Sequence, residues 1–225
     1  LLLCLLLFPI QNATASSVPE PVGKGDIVLG MSAAFSGPSR GLGIELYRGA
    51  MAHFMNVNKN GGVNGRRIVL KTMDDGYNPI PAIENTIHLI EKEHVLLLFN
   101  YVGTPTVTRV LPLLKHFRHK DIYLFFPFTG AQPQREFPYD HFVFNFRASY
   151  RQETQGLVDH LVGIGRTRIA VFYQSDAYGR SGWDGAQRAL AQHDLGVCPL
   201  YTFDAADEGL GVDLGGLRDL KRENA

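Results

Sequence analysis

Thr104 stands where a carboxylate could be held. It follows Leu96, Leu97, Leu98 and Phe99, an apolar run without alternation, as in a strand covered on both faces. Pro105 comes next, and Val107, Val110, Leu111 and Leu114 then fall at i, i+3, i+4 and i+7, the stripe of a helix. Thr104 is thereby the expected N-cap and Pro105 the first helical residue. A helix that opens from the carboxyl end of a parallel strand offers free N–H groups and the positive end of its dipole. That is where an open α/β sheet takes an anionic group. Two readings of Thr104 stay open on these residues alone: a plain helix cap, or a hydroxyl that touches a ligand.

Other residue types suggest catalysis or metal binding and fall short of it. Asp74 and Asp75 are adjacent at the end of a strand, so their side chains leave on opposite faces. Catalytic carboxylate pairs face each other across a cleft, so loop capping is the expectation for both. His116 and His119 could share one helical face, but they sit among Lys115, Arg118 and Lys120 with no third ligand near, so no zinc site is expected. Neither G-x-S-x-G, H-E-x-x-H nor G-x-x-x-x-G-K-[ST] occurs. Gly41-Leu42-Gly43 lacks the third glycine of a dinucleotide fingerprint. No catalytic residue, metal or cofactor is expected, and the expected protein is not an enzyme.

The elements that position these residues alternate. Strand runs begin near Ile27, Ile68, Val95 and Ile122, and helical patterns fill the gaps, as in a parallel α/β sheet. The expected stripes are Leu46, Ala50, Phe54 and Val57 in the first helix and Ile80, Ile83, Ile87 and Ile90 in the second. Asn78-Pro79 opens the second helix. A fifth extended run covers 141–146. Beyond Arg147-Ala148-Ser149-Tyr150 a helix with Leu157, Leu161 and Ile164 follows, then an apolar strand over 168–173 and a helix with Trp183, Ala186 and Leu190. A strand near 196–203 and a helix over about 212–222 complete the pattern.

The ends and the bulk numbers add context. The chain has 225 residues, 45% of them hydrophobic and 20% charged; 22 basic and 22 acidic side chains cancel, and there is no basic run for nucleic acid. Residues 1–10 form an apolar run of signal-peptide length, and Ala13-Thr14-Ala15 is an A-x-A cleavage pattern. A leader over 1–15 that lacks its basic start, cleaved after Ala15, and a linker over 16–25 are expected. One α/β lobe is expected over 26–146 and the first, incomplete part of a second over 147–225, because two parallel strands make no stable sheet alone. Export implies an oxidising compartment, where Cys198, the one cysteine left after cleavage, has no partner and sits inertly in or beside a strand.

Six motifs occur in a telling order: Phe35-Ser36-Gly37-Pro38, Asn60-Gly61-Gly62-Val63-Asn64-Gly65, Asp74-Asp75, Gly103-Thr104-Pro105-Thr106, Pro127-Phe128-Thr129-Gly130-Ala131 and Asp176-Ala177-Tyr178-Gly179. In this order they resemble the type I periplasmic substrate-binding proteins, of the branched-chain amino acid (Leu/Ile/Val) ABC transporter type. The resemblance implies two doubly wound parallel-sheet lobes joined by a hinge, the second truncated here, with ligand closed between them. It implies that Gly103 and Thr104 take the ligand's carboxylate. It implies that Phe128, Thr129 and Gly130 take its ammonium through backbone carbonyls and a hydroxyl, and that Tyr178 closes over it from the second lobe. Leu42 stands where the family often has an aromatic ring against the ligand's side chain, and Tyr150 lies at the crossover, where hinge packing is expected before ligand contact. The acidic partner of the ammonium would lie beyond Ala225. The family's usual cysteine pair is replaced by Tyr77 and Gly103.

The expected function is an exported, periplasmic solute-binding protein. It would bind an amino acid or similar small carboxylate by hinge closure and deliver it to the membrane permease subunits of an ABC importer. A ligand-sensing domain of the same fold, coupled to a membrane signalling protein, is the alternative.

Overall fold

The computed structural model describes residues 25–196 and the backbone of 198 and 199. The expected leader, nearly all of the linker and the helix near 212–222 lie outside the described residues. Five parallel strands form the main sheet in the order β2-β1-β3-β4-β5: β1 (Ile27–Ala33), β2 (Ile68–Asp74), β3 (Leu97–Phe99), β4 (Leu124–Phe125) and β5 (Val143–Phe144). The chain moves outward from β1 to one side and then returns to the other. The order thus reverses beside β1, and such a reversal opens a crevice at the carboxyl ends of the strands. A second, two-stranded parallel sheet pairs β6 (Ala170–Val171) with β7 (Cys198–Pro199).

Helices cover the two faces of the main sheet. α2 (Pro79–Glu91) and α3 (Thr104–His116) pack on one face around Leu89, Ile90, Leu98, Leu111, Leu114 and Leu124. α1 (Arg40–Lys59) lies on the other, where Leu46 and Tyr47 meet Met31, Ala33 and Leu70. Gly30 faces α2 because a Cβ there would come within 3.1–3.3 Å of Val95 and Leu89 side chains. On that face Phe54 of α1 meets Phe99 at 5.5 Å, and beyond the reach of α1 Phe125 stacks on Phe144 at 4.4 Å.

The structure moves several apolar stripes. In α2 the buried residues are Ala82, Asn85, Thr86, Leu89 and Ile90, and Ile80 is exposed. The helix is turned so that Asn85 Nδ2 can donate to Ser32 Oγ and the Asp74 carbonyl. In α4 (Tyr150–Gly163) Leu157 is exposed, as is Ile164 just past its end, while Val158 is buried. The packing partner decides this. α5 (Ala177–Ala191) presents Gly185, Ala186, Ala189 and Leu190, and a Cβ on Gly185 would strike the Thr154 hydroxyl. The face of α4 that packs on α5 is therefore Tyr150, Thr154 and Val158, with Tyr150 and Val158 buried, one residue round from the expected one. The strands are also shorter than their apolar runs. Leu96 lies outside the ladder and is 58% exposed beside fully buried Leu98. The runs 122–126, 141–146 and 168–173 each keep two ladder residues, and a 3-10 turn takes up Asp140–Phe142.

Asp74 and Asp75 cap loops, in different ways. Asp74 Oδ1 accepts the N–H groups of Phe35, Ser36 and Gly76. Burial opposes its charge, but the hydrogen bonds outweigh it and hold the carboxyl below its ordinary value. Asp75 is buried; it accepts the Ser32 hydroxyl at 2.7 Å and the Tyr77 N–H at 2.9 Å. Burial pushes its carboxyl from 3.8 up to about 6 against those bonds, and the Asp74 charge adds to the rise.

Two outcomes follow for stability. Leu98→Ala lowers unfolding free energy by about 2–5 kcal/mol, whereas Leu96→Ala costs under about 0.5 kcal/mol, read from denaturant midpoints at constant slope. For Asp75, the folded chain keeps a proton that the unfolded chain has lost between pH 3.8 and about 6. This contribution is fully present below the lower value and is lost as pH rises through the higher. The stability of wild type relative to Asp75→Asn therefore falls by roughly 2 kcal/mol between pH 4 and pH 7. An unchanged difference across that range would show that Asp75 ionises normally.

Candidate functional site

The crevice at the strand ends is built from a few local conflicts that glycine resolves. After β3, Val102 bridges in parallel to Phe128, which aligns the two turns. Gly103 has φ +107°, and a Cβ there would lie 2.6 Å from Tyr77 Cε2. It is the residue before the helix, so Thr104 is the first helical residue and not the cap. The Thr104 hydroxyl is free for other work: it lies 2.7 Å from Thr129 Oγ1 and 3.2 Å from the Tyr150 hydroxyl. Its backbone N–H is directed at the Tyr77 hydroxyl. Burial, with the nearby Asp176 and Tyr150, holds the Tyr77 phenol well above its ordinary range, so it stays neutral.

Tyr150 joins the two sides of the crevice. It opens α4 behind Ser149, whose hydroxyl and the Gln152 side chain form a reciprocal capping box. Its N–H donates to the Gly130 carbonyl at 2.7 Å, and a Cβ on Gly130 would fall 2.7 Å from its ring. Thr129 is fully buried behind Thr104; its hydroxyl accepts the Ala131 N–H, and its carbonyl accepts from Gln134 Nε2. Thr129–Gly130 is thus the seat of Tyr150 and Thr104.

A cavity of about 400 Å³ opens on this framework. Of the residues singled out from sequence, Leu42, Gly103, Thr104, Phe128, Tyr150 and Tyr178 all line it. Thr129 and Gly130 do not. Thr129 stands behind the wall, and Gly130 lines a second cavity of about 360 Å³ on the far side of Thr104 and Tyr150. Their turn faces the crossover instead of the crevice, because the Gly130 carbonyl is taken by Tyr150. Tyr150, expected first as hinge packing, packs on the Gly130 turn and also lines the cavity. Tyr178 rises from the start of α5, where Asp176 caps through the Gly179 N–H, and meets Tyr150 edge-on at 5.3 Å.

Sequence reading missed Ser39, Tyr77, Arg147, Glu153 and Gln174, which complete the lining. Arg147 lies in the crossover. Its guanidinium sits 5.3 Å from the Phe128 ring centre and 5.2 Å from that of Tyr150, and it is ion-paired with Glu153. Arg135 donates to the Arg147 and Ala148 carbonyls and fixes the crossover backbone. A cation six residues before an acid gives no helical signal; only the turn carrying Phe128 makes the pair a wall. His116 ends α3, at the opposite end of that helix from the cavity. Among the described residues no three of His, Cys, Asp and Glu could hold a metal. The site offers hydroxyls, helix-end N–H groups, four rings and one ion pair, an arrangement suited to enclosing a small polar solute.

Comparisons with known proteins bear on the family and the fold. The periplasmic binding protein family profile matches residues 26–208. An amino acid binding protein of Pseudomonas aeruginosa is 25% identical over 175 residues, 76% of this chain and 45% of its own length. The crystal structure of a possible leucine/isoleucine/valine-binding protein from Rhodopirellula baltica superimposes with a TM-score of 0.71 and 32% identity, over 82% of this chain and 50% of that one. A substrate-binding periplasmic protein from Ralstonia solanacearum gives 0.74 and 32%, over 80% and 50%. The chain spans about half the length of the relatives it matches. By the family match, the order of its elements and its parallel sheets, this chain belongs to the periplasmic binding protein family, with the type I fold.

Proposed function

We propose that the protein is an exported solute-binding protein that encloses a small carboxylate-bearing solute, an amino acid or a close relative, for delivery to an ABC importer. The observation that carries this is the cavity itself. Residues before the crossover (Leu42, Gly103, Thr104, Phe128) and after it (Tyr150, Tyr178) line one space. Binding relatives named for amino acids and for leucine, isoleucine and valine support the same ligand class.

The chemistry would be exchange at the start of α3. The Thr104 N–H now faces the Tyr77 hydroxyl, a neutral acceptor. A carboxylate is a stronger acceptor and sits at the positive end of the helix, so it displaces the phenol. The Thr104 hydroxyl, held by Thr129 and Tyr150, adds a second donor. Tyr178 and Tyr150 then close over the solute as the crossover bends. Thr129 and Gly130 act through Tyr150 and Thr104, as positioning residues.

Replacing Thr104 by valine keeps the branched shape and removes the hydroxyl. In protein carrying the whole reading frame, Thr104→Val weakens binding of whichever amino acid or carboxylate raises the wild-type melting temperature, by roughly 1–3 kcal/mol. Titration calorimetry reads this directly. Equal affinity in the variant would remove the hydroxyl from the site, and a wild type that responds to no member of an amino-acid and carboxylate panel would remove the proposed function.

A further inference from the structure

Two cavities share one partition. Thr104 and Tyr150 line both the ligand cavity and the second cavity of about 360 Å³ behind them. The helices after the crossover straddle this partition. On α4, Glu153 lines the first cavity and Arg151 the second; on α5, Tyr178 lines the first, and Ser181 and Asp184 the second. Gly185 lets the two helices approach so closely that a Cβ there would fall 2.4 Å from the Thr154 hydroxyl and 3.2 Å from Arg151 Cα. Helices packed this tightly move as one body. Across the second cavity, Arg151 reaches back to Glu136, which ends the 3-10 turn Pro133–Arg135 ahead of the crossover; Nη1 lies 3.2 Å from Oε1. Resting on the reading of the first cavity as the ligand site, we infer that the Glu136–Arg151 pair is a latch that holds that cavity open and thereby sets how tightly it binds.

Leverage decides the sign. With the partition as pivot, a turn of α4 and α5 that brings Tyr178 and Glu153 in over the first cavity carries Arg151 and Asp184 outward from the second. Glu136 stays behind with its turn, so the pair parts as the solute is enclosed. Each partner keeps a second contact on its own side. Arg151 Nε is already 3.1 Å from Asp184 Oδ2, and Glu136 Oε1 accepts from Gln132 Nε2 at 2.9 Å. Parting therefore strands no charge and costs only what a half-exposed ion pair is worth. Glu136 and Asp184 thus compete for one guanidinium. Glu136 draws it toward the open form, and Asp184, which travels with it, holds it equally well in the closed form. Removing the first carboxylate frees the latch; removing the second leaves the guanidinium to Glu136 and tightens it.

Two readouts on protein carrying the whole reading frame test this. The first is affinity for leucine, phenylalanine, 4-methylpentanoate and benzoate, using whichever of them binds wild type. Glu136→Gln binds it about twofold to fivefold tighter than wild type, and Asp184→Asn binds it about twofold weaker. The gain in Glu136→Gln fades toward none between about 20 mM and 500 mM salt, as a half-exposed ion pair requires and a packing effect does not. Melting temperatures of the unliganded variants show that each has folded. The second readout needs no ligand. Spin labels coupled to encoded azido side chains at Pro133 and Arg180, which line opposite sides of the second cavity, report its width. The distance lengthens when a probe binds, and Glu136→Gln populates the longer distance without one. Unchanged affinity in Glu136→Gln, a shift of both variants in the same direction, or a label distance that holds or shortens on binding overturns the latch. If no probe binds wild type, the unliganded labels decide alone: a Glu136→Gln distribution equal to that of wild type overturns the latch. Failure of a wider panel of amino acids and small carboxylates overturns the proposed function instead.

Discussion

Everything around the crevice depends on the contact of Tyr150 with Gly130 and Thr104. The ring rests on a residue with no side chain, its N–H is bound by the Gly130 carbonyl, and its hydroxyl reaches Thr104. One side chain at the start of α4 is thereby tied to the turns after β3 and β4. The crossover between the two sheets ends at this tie, so α4 starts from a fixed point. Arg147, three residues earlier, is drawn into the wall because the same ring offers it a face. The capping box of Ser149 and Gln152 stiffens the turn between them.

Much of the framework was legible because it is local. The helix opening beside Thr104 and its stripe Val107, Val110, Leu111 and Leu114 came through, since sequence spacing decides which side of that helix is apolar. The cap of α2 at Asn78 was equally local. What sequence spacing could not supply was the identity of the neighbour. α4 carries apolar residues on more than one side, and the small residues of α5 decided which side is buried. α2 turned to bury Asn85, a polar residue that earns its place by bonding Ser32 and the Asp74 carbonyl. Thr104 looked like a cap because threonine commonly is one, yet Gly103 takes that position since only glycine tolerates both the positive φ and the Tyr77 ring.

The site divides in the same way. Leu42, Gly103, Thr104, Phe128 and Tyr178 lie on motifs that announce turns at the carboxyl ends of strands or the starts of helices, and such turns converge by topology. Arg147, Glu153 and Tyr77 have no such announcement. Each enters the wall through a contact made across the fold: a ring from the turn after β4, a carboxylate one helical turn on, a glycine after β3. Thr129 and Gly130 show the opposite case. Their motif is plain in the sequence, but the hydrogen bond to Tyr150 turns it into support for the wall and away from the space it encloses.

The cavity has few idle donors. The Thr104 N–H has Tyr77, the Thr104 hydroxyl has two neighbours, and Arg147 has Glu153. A ligand that enters trades one set of polar contacts for another, so the number of hydrogen bonds changes little. The net heat of capture is then a small difference between similar terms. The dependable thermodynamic mark of capture lies in the rings of Tyr77, Phe128, Tyr150 and Tyr178 as they lose water, and it takes the form of a fall in heat capacity.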